Sequence, residues 1–298
     1  MPGCETGPVA LKAHGLAEAL TARGLPVEWA VDPDELYAQP DGAAAHQKLP
    51  PLGDPTRRDL VLRHCTRLRD DVADTLRAGN IPVTVGGDHA MAAGSIAGLA
   101  QAKNAHGRIG VLWIDAHADL NTPATSPSQA LHGMPVAALL GKGETSFAAL
   151  GGGDQPVLRP EHIFYMGLRD VDEGEVTAME LMGINHMSAR AVMDMGYEKA
   201  LALALDKISE GTDYLFLSLD LDVFDPTIAP AVGTPVADGF RRTDFLPALA
   251  DIIAGNTFAA FEIAEFNPTL PGADETYDLL LQCLTFMLAA RQPAAESA

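Results

Sequence analysis

Three short apolar segments of this 298-residue chain each end in a compact group of polar residues. The groups are Gly86-Gly87-Asp88-His89, Asp115-Ala116-His117-Ala118-Asp119 and Asp220-Leu221-Asp222. Apolar segments of this length, without alternation, are typical of parallel strands buried on both faces. Because ligands bind at the carboxyl ends of such strands, this pattern constrains the fold and the site together.

Longer amphipathic segments separate the apolar ones, which predicts a parallel sheet with crossover helices. The predicted strands lie near Val27–Val31, Ile81–Val85, Ile109–Ile114, His162–Gly167, Tyr214–Leu219 and Phe258–Ile263. The predicted helices cover Pro8–Ala22, Thr56–Ala78, Ala90–Lys103, Glu173–Met182, Gly196–Glu210, Arg242–Ala254 and Glu275–Ala290. Since the chain has no long flexible linker and no internal repeat, we expect a single α/β domain over residues 1–298.

The chain is strongly acidic, with 40 Asp and Glu against 20 Lys and Arg and a net charge of −20. This charge disfavours nucleic acid and anionic membranes as partners, because both bind positive surfaces. The N-terminus lacks a secretory signal pattern, and the three cysteines are too widely separated to indicate a disulfide framework. We therefore expect a cytoplasmic protein whose ligand is cationic or bound to a metal.

The clustered carboxylates require positive charge among them, because packing four acids together raises their pKa values and opposes folding. The residues expected to converge at the sheet edge are His89, Asp115, His117, Asp119, Asp220 and Asp222. A single Asp after a strand is usually a helix cap, and we expect this role for Asp88. The clustered set, rich in oxygen and free of thiolate, instead favours Mn²⁺ over Zn²⁺ or Fe²⁺. Six ligands suit two neighbouring ions better than one.

Further strings follow in a fixed order along the chain. They are Asn121-Thr122-Pro123, Leu131-His132-Gly133-Met134-Pro135, Asp225-Pro226, Gly233-Thr234-Pro235 and Glu265-Phe266-Asn267-Pro268. Together with the metal-ligand strings they resemble the ureohydrolase family, which includes arginases and agmatinases. The resemblance implies a three-layer α/β/α fold with a mainly parallel central sheet and a site that holds two Mn²⁺ ions per subunit.

The resemblance also implies a role for each site residue. His89 and Asp119 would bind one manganese ion. His117 and Asp222 would bind the other, and Asp115 and Asp220 would bridge the two. A hydroxide between the ions, held by Asp119, would attack the guanidinium carbon. His132 would protonate the leaving amine, a role that suits imidazole because it titrates near neutral pH. Glu265, aided by Thr234, would pair with the guanidinium group.

The expected substrate is L-arginine. By resemblance, Asn121 and Ser128 would bind the α-carboxylate and Asp172 the α-ammonium group, which favours L-arginine over agmatine. Without the resemblance, Asp172 would be interpreted as part of an acidic helix start. The alternatives are agmatine or a guanidino acid as substrate, and a metal-binding homologue without turnover. A calcium buffer is disfavoured, because the His pair is present and no EF-hand loop occurs.

The resemblance implies two further properties. Family members commonly assemble, so a homo-trimer or a homo-hexamer is expected. The family normally opens with a strand before the segment that resembles Gly3–Pro8, so we expect either that the first strand is absent here or that this sequence starts after it. If the strand is absent, Val27–Val31 would lie at an edge of the sheet.

Overall fold

Six parallel strands form one sheet in the computed structural model, which describes residues 2–34, 50–51, 53–153 and 155–291. The strands are β1 (Val83–Val85), β2 (Ile109–Ile114), β3 (Ile163–Leu168), β4 (Asn185–Ser188), β5 (Tyr214–Asp220) and β6 (Phe258–Ala264). Their spatial order is β1-β6-β5-β2-β3-β4, and each neighbouring pair is parallel. Every residue of β2 and β3 is buried, as expected for strands covered on both faces.

The α-helices of the described residues cover both faces of this sheet. They are α1 (Gly7–Ala13), α2 (Leu16–Thr21), α3 (Pro55–Arg77), α4 (Ala92–Lys103), α5 (Pro135–Leu139), α6 (Thr145–Ala148), α7 (Glu173–Met182), α8 (Ala189–Met195), α9 (Tyr197–Ser209), α10 (Arg242–Gly255) and α11 (Ala273–Ala289). None of these helices is long and apolar enough to cross a membrane.

Alternate residues of the central strands enter two separate hydrophobic clusters. In β2, Val111 and Trp113 pack with α3, α4, α5 and α7. Leu112 and Ile114 pack on the opposite face with α1, α2 and the helices from α8 to α11. Because successive strand residues point to opposite faces, these clusters are the two sides of a three-layer α/β/α sandwich. The predicted fold class is confirmed.

The predicted elements differ from the structure at several places, and the short helices α5 and α6 are among the elements that were not predicted. Val27–Val31 forms no strand, because no neighbouring strand of the described residues pairs with it, although Val27 and Trp29 still pack against the core. The predicted first helix is two helices, α1 and α2, separated at Gly15 with a φ of 72°. The short strand β4 and helix α8 were not predicted, because β4 is polar and only partly buried.

Candidate metal centre and active site

The predicted site residues follow the carboxyl ends of five adjacent strands. His89 follows β1, Glu265 follows β6 and Asp172 follows β3. Asp220 and Asp222 lie at the end of β5, and the segment 115–119 directly follows β2. Since the order of these strands is β1-β6-β5-β2-β3, the topology brings the residues to one edge of the sheet.

His89 is the centre of the first group of ligands. Its Nδ1 atom lies 3.0 Å from Asp115 Oδ2, 3.1 Å from Asp119 Oδ2 and 3.0 Å from Asp220 Oδ2. All four side chains are buried. A ring nitrogen that faces three carboxylate oxygens at these distances is typical of a site for a cation.

A second group shares Asp115 with the first. His117 Nδ1 lies 3.5 Å from Asp115 Oδ1 and 3.1 Å from Asp222 Oδ2. Potential ligand atoms of Asp115, His117 and Asp222 all lie within 4.8 Å of one another, and the same holds for His89, Asp115 and Asp220. The geometry therefore offers two adjoining metal positions with Asp115 between them. Asp220 belongs to the first of these groups.

The chemistry of the donor atoms fits metal ions. Within the described part of the chain, the buried His89 Nδ1 atom has no hydrogen-bond partner despite its three carboxylate neighbours. Burial of a ring nitrogen without a partner is costly. A bound cation satisfies this nitrogen and the surrounding oxygens at once.

The electrostatics of the metal-free site agree with this interpretation. Burial, together with the charge of Asp115, raises the pKa of Asp119 to about 8. Burial and the charges of Asp222 and Asp115 raise the pKa of Asp220 well above its usual range. Burial opposes protonation of His117, but its contacts with Asp115 and Asp222 raise its pKa above the ordinary value. These shifts indicate that the clustered carboxylates need positive charge beside them, which bound metal ions would supply.

Trp113 orients Asp115, although the sequence indicates it only as a core residue. The indole Nε1 donates a hydrogen bond of 2.9 Å to Asp115 Oδ2. The indole also stacks on the His89 ring, with a centroid distance of 4.2 Å and an interplanar angle of 16°. The backbone N–H of His117 donates to the other oxygen, Asp115 Oδ1, at 2.7 Å. Asp115 is therefore held at both oxygens before a metal binds.

Two further buried residues hold the other ring nitrogen of His89. His89 Nε2 lies 2.8 Å from Ser218 Oγ, and the Ser218 hydroxyl donates to Glu262 Oε1 at 2.9 Å. Ser95 donates to the second oxygen of the same carboxylate. A Ser218 hydroxyl that donates to Glu262 accepts from the Nε2–H of His89, which leaves Nδ1 as the metal-binding nitrogen. The only sequence signal for Glu262 is an acid within an apolar strand.

Glu265 and His132 adjoin this centre. Glu265 Oε1 accepts from the backbone N–H of His89 at 2.9 Å and lies 3.7 Å from His132 Nδ1. The second oxygen, Oε2, accepts from the Cys4 thiol at 3.3 Å. Burial, followed by the charge of Glu265, raises the pKa of Cys4, so the thiol remains a donor. The contact with Cys4 was not predicted.

Two site residues adopt left-handed backbone conformations. Asp119 has a φ of 49° and Glu265 a φ of 67°. Non-glycine residues in this region cost on the order of 1–3 kcal/mol each and persist where the surrounding structure determines them. Glu265 directly follows β6, and Asp119 lies five residues after the end of β2, so both strained residues stand at the edge of the sheet where the site forms.

The residues expected to bind the α-carboxylate and α-ammonium groups occupy two neighbouring loops. Asn121 Nδ2 donates to Asp172 Oδ2 at 2.8 Å, and Asn121 Oδ1 accepts from the Thr125 hydroxyl at 2.8 Å. Asp172 forms a capping box with Glu175 at the start of α7, and Glu175 also accepts from the backbone N–H of Leu120. The acidic helix start and the proposed binding role therefore coexist in Asp172.

Ser128 and Thr234 have other partners. Ser128 Oγ accepts from the backbone N–H of Ala130 at 3.2 Å, and among the described residues it makes no hydrogen bond to Asn121 or Asp172. Thr234 Oγ1 donates to Asp222 Oδ2 at 3.0 Å, so its direct contact is with a predicted metal ligand. Asp88 caps the turn His89–Met91 through the backbone N–H of Ala90, as predicted.

The comparisons with known proteins agree with this site. The family model described as "Arginase family" matches residues 1–289. The arginase of Bacillus caldovelox is 35% identical over 92% of this chain and 88% of its own. The crystal structure of arginase from Bacillus subtilis has a TM-score of 0.83 at 31% identity and covers 98% of this chain and 94% of that one. Entamoeba histolytica arginase in complex with L-ornithine has a TM-score of 0.80 at 28% identity, over 96% and 93% of the two chains. This chain belongs to the arginase family.

Proposed function

We propose that this protein is a manganese-dependent arginase that hydrolyses L-arginine to L-ornithine and urea, with two Mn²⁺ ions per subunit. The observation that carries the proposal is the pair of His/Asp groups that share Asp115, with Glu265 and His132 beside them. His89 and Asp119 would hold one ion and His117 and Asp222 the other, with Asp115 and Asp220 between the two.

When bound, the ions would lower the pKa of water and so supply a nucleophile at neutral pH. The remaining tasks belong to the protein. The buried Glu265 carboxylate would accept hydrogen bonds from the planar guanidinium group and orient its carbon toward the metal centre. Asp119 would accept a hydrogen bond from the attacking water. His132, whose Nδ1 lies 3.7 Å from Glu265 Oε1, would deliver a proton to the leaving nitrogen as the carbon–nitrogen bond breaks.

The loops that carry Asn121 and Asp172 support L-arginine as the substrate. An amide and a serine, Asn121 and Ser128, suit a carboxylate, and the Asp172 carboxylate suits an ammonium group. Agmatine would leave the first of these subsites unused. The Entamoeba histolytica arginase is described in complex with L-ornithine, which is the product that the proposed reaction would form here.

The experiment that tests this proposal is a urea assay after manganese loading, with L-arginine, agmatine, 4-guanidinobutyrate and 3-guanidinopropionate. We expect urea mainly from L-arginine. Preference for another compound would reassign the substrate, and bound manganese without urea from any compound would favour a metal-binding homologue without turnover. Asp119→Ala or Asp222→Ala should lose metal and turnover together, whereas His132→Asn should keep the metal and lose rate.

Assembly and location also belong to this proposal. We propose one catalytic domain per chain, cytoplasmic, in a homo-trimer or homo-hexamer. Light scattering after size-exclusion chromatography gives the oligomeric state, and a monomer at micromolar concentration would contradict this part of the proposal.

A further inference from the structure

Within the described part of the chain, the side chain of Arg169, directly after β3, donates hydrogen bonds only to main-chain carbonyl groups. Its guanidinium donors contact Gly167 O at 3.2 Å, Asp222 O at 2.6 Å, Phe224 O at 3.4 Å, Val236 O at 2.9 Å and Ala237 O at 2.9 Å. No carboxylate of the described residues forms a salt bridge with it, although the Asp222 charge lies nearby. A guanidinium group used in this way ties separate backbone segments together.

The main chain of Arg169 holds a second segment of the site. Its backbone N–H donates to Ala116 O at 2.9 Å, and the N–H of Asp170 donates to the same oxygen at 3.1 Å. Ala116 lies between Asp115 and His117. One residue therefore connects both backbone segments that form the second ligand group, namely the turn after β2 and the turn after β5.

The hydrogen bonds of Arg169 reach the second ligand group and not the first. The described hydrogen bonds of Arg169 include none to His89, Asp119 or Asp220, which surround the first metal position. Beyond Asp222, the guanidinium holds both ends of the segment 223–239. That segment also carries Thr234, whose hydroxyl donates to Asp222 Oδ2. The Asp222 carboxylate is thus positioned through its own carbonyl group and through the segment that follows it.

Gly239 leaves space for the guanidinium group of Arg169. A methyl group at Gly239 would lie 2.7 Å from Arg169 Nη2 and 2.4 Å from the Phe224 carbonyl carbon. Gly167 has a φ of 111°, and a methyl group there would lie 2.9 Å from Asp115 O. The backbone on both sides of the guanidinium therefore approaches as closely as only glycine allows.

We propose that Arg169 is the positioning residue for the second metal position, the one formed by His117 and Asp222. This inference rests on the proposed two-manganese centre. Without the guanidinium group, four carbonyl groups of the segment 222–237 lose their shared donor, so the Asp222 carboxylate is no longer held against His117. The first position keeps its own support from Trp113, Ser218 and Glu262.

The test compares Arg169→Met and Arg169→Lys with Arg190→Met in the full chain. Arg190 is a matched control because its side chain is 82% exposed and pairs only with Asp194 on α8. Manganese titration of the metal-free proteins gives the number and affinity of bound ions. Electron paramagnetic resonance separates a coupled pair of ions from an isolated ion without any activity measurement.

We expect Arg169→Met to bind one ion with wild-type affinity and the second with affinity lowered by about ten- to a hundredfold. At manganese concentrations that give the coupled signal in the wild type, this variant should show an isolated ion. Arg169→Lys, which keeps the charge but not the fork of donors, should also weaken the second ion selectively, and it serves as the test if the Met variant does not fold. Arg190→Met should match the wild type.

Two results would overturn the inference. In the first, both ions bind to the Arg169 variants as in the wild type. In the second, both ions weaken equally along with the melting temperature, which would indicate a general structural role. A wild-type protein that binds two ions but releases no urea would contradict the proposed function and still leave the role of Arg169 testable.

Discussion

The side-chain amide of Asn121 donates a hydrogen bond of 2.8 Å to Asp172, which connects the loop after β2 with the loop after β3. The Thr125 hydroxyl donates to the amide oxygen of Asn121, so the orientation of the amide is determined. The Asn121 amide has two N–H groups, and the described residues accept a hydrogen bond from it only through Asp172. The two residues proposed to bind opposite charges of the substrate are therefore coupled directly.

This coupling predicts non-additive effects on substrate binding. Asn121→Ala and Asp172→Ala should each raise KM for L-arginine by about ten- to a hundredfold, because each removes a hydrogen bond to a charged group. In the double variant, the free energy of substrate binding that is lost should be smaller than the sum of the two single losses, because each single substitution also disturbs the other residue. Steady-state kinetics of the three variants measure this interaction.

Agmatine provides the control for that experiment. It lacks the carboxylate but keeps an amino group, so Asn121→Ala should change KM for agmatine far less than KM for L-arginine. Equal effects on both compounds would show that Asn121 does not bind the carboxylate. Strict additivity of the two substitutions would contradict the coupling.

The sequence predicts the convergence of the site's histidines and aspartates well, because their positions follow from strand ends alone, and the structure brings them together. Their roles as metal ligands stay a prediction. In a parallel sheet, the residues at the carboxyl ends of the strands reach the same edge. His89, Asp115 and Asp220 are therefore expected to lie close together. The strand at Val27–Val31 was predicted wrongly for a related reason. Apolar and β-branched composition describes a segment that fits a sheet, but a strand exists only where a neighbour pairs with it.

The supporting residues could not be predicted, because their roles depend on tertiary contacts between distant segments. Ser218 and Glu262 lie 44 positions apart, and Cys4 and Glu265 lie 261 apart. Arg169 has no acidic partner that a charge pattern would indicate, since its acceptors are carbonyl groups. A buried acid within an apolar strand, as at Glu262, is the one signal that a sequence reader could follow.

Glu262 is predicted to control metal affinity through Ser218 and His89. Glu262→Gln can donate to Ser218 through its amide and thereby reverse the hydrogen bond to His89 Nε2. We expect affinity at the first metal position to fall by about ten- to a hundredfold. Manganese titration of the metal-free variant measures this affinity. Ser95→Ala is the graded control, because it removes a partner of the same carboxylate on the side away from His89.

A Glu262→Gln variant with unchanged affinity for both ions would contradict this role. Ser218→Ala should resemble Glu262→Gln, since it removes the link between the histidine and the carboxylate. If only Ser95→Ala weakened manganese binding, the affinity would depend on the position of the Glu262 carboxylate and not on which nitrogen of His89 carries the proton.

Cys4 is predicted to support substrate binding through Glu265. Cys4→Ala leaves Glu265 Oε2 without its thiol donor and should raise KM for L-arginine by about two- to fivefold, because the hydrogen bond that is lost comes from a weak S–H donor. Cys4→Ser restores a donor and should stay closer to the wild type. Cys283→Ala is the matched control, because Cys283 in α11 is equally buried and, among the described residues, makes no hydrogen bond to Glu265. An equal KM change in the Cys283 variant would contradict a specific role for Cys4.

Metal removal should make the stability of the protein depend on pH. In the metal-free fold the pKa values of His89 and His117 are raised, because contacts with carboxylates outweigh burial. Their contribution to stability is complete below about pH 6.5, the ordinary value for histidine, and is lost as the pH rises toward the folded pKa. Burial and Asp115 raise the pKa of Asp119 to about 8, so this acid keeps its proton in the fold while the unfolded chain has lost it.

As the pH rises from 6.5 to 8, His89, His117 and Asp119 therefore all lower the free energy of unfolding of the metal-free protein. Asp115, whose pKa is lowered by His117 and His89 against the effect of burial, acts in the opposite direction only at acidic pH. Bound manganese replaces these protons, so we expect the melting temperature to fall with pH after chelation and to stay nearly constant when the metal is bound. Manganese affinity should rise over the same interval, since each ion displaces protons from the ligands. If the melting temperature changed with pH in the same way with and without manganese, the competition between protons and metal ions would be contradicted.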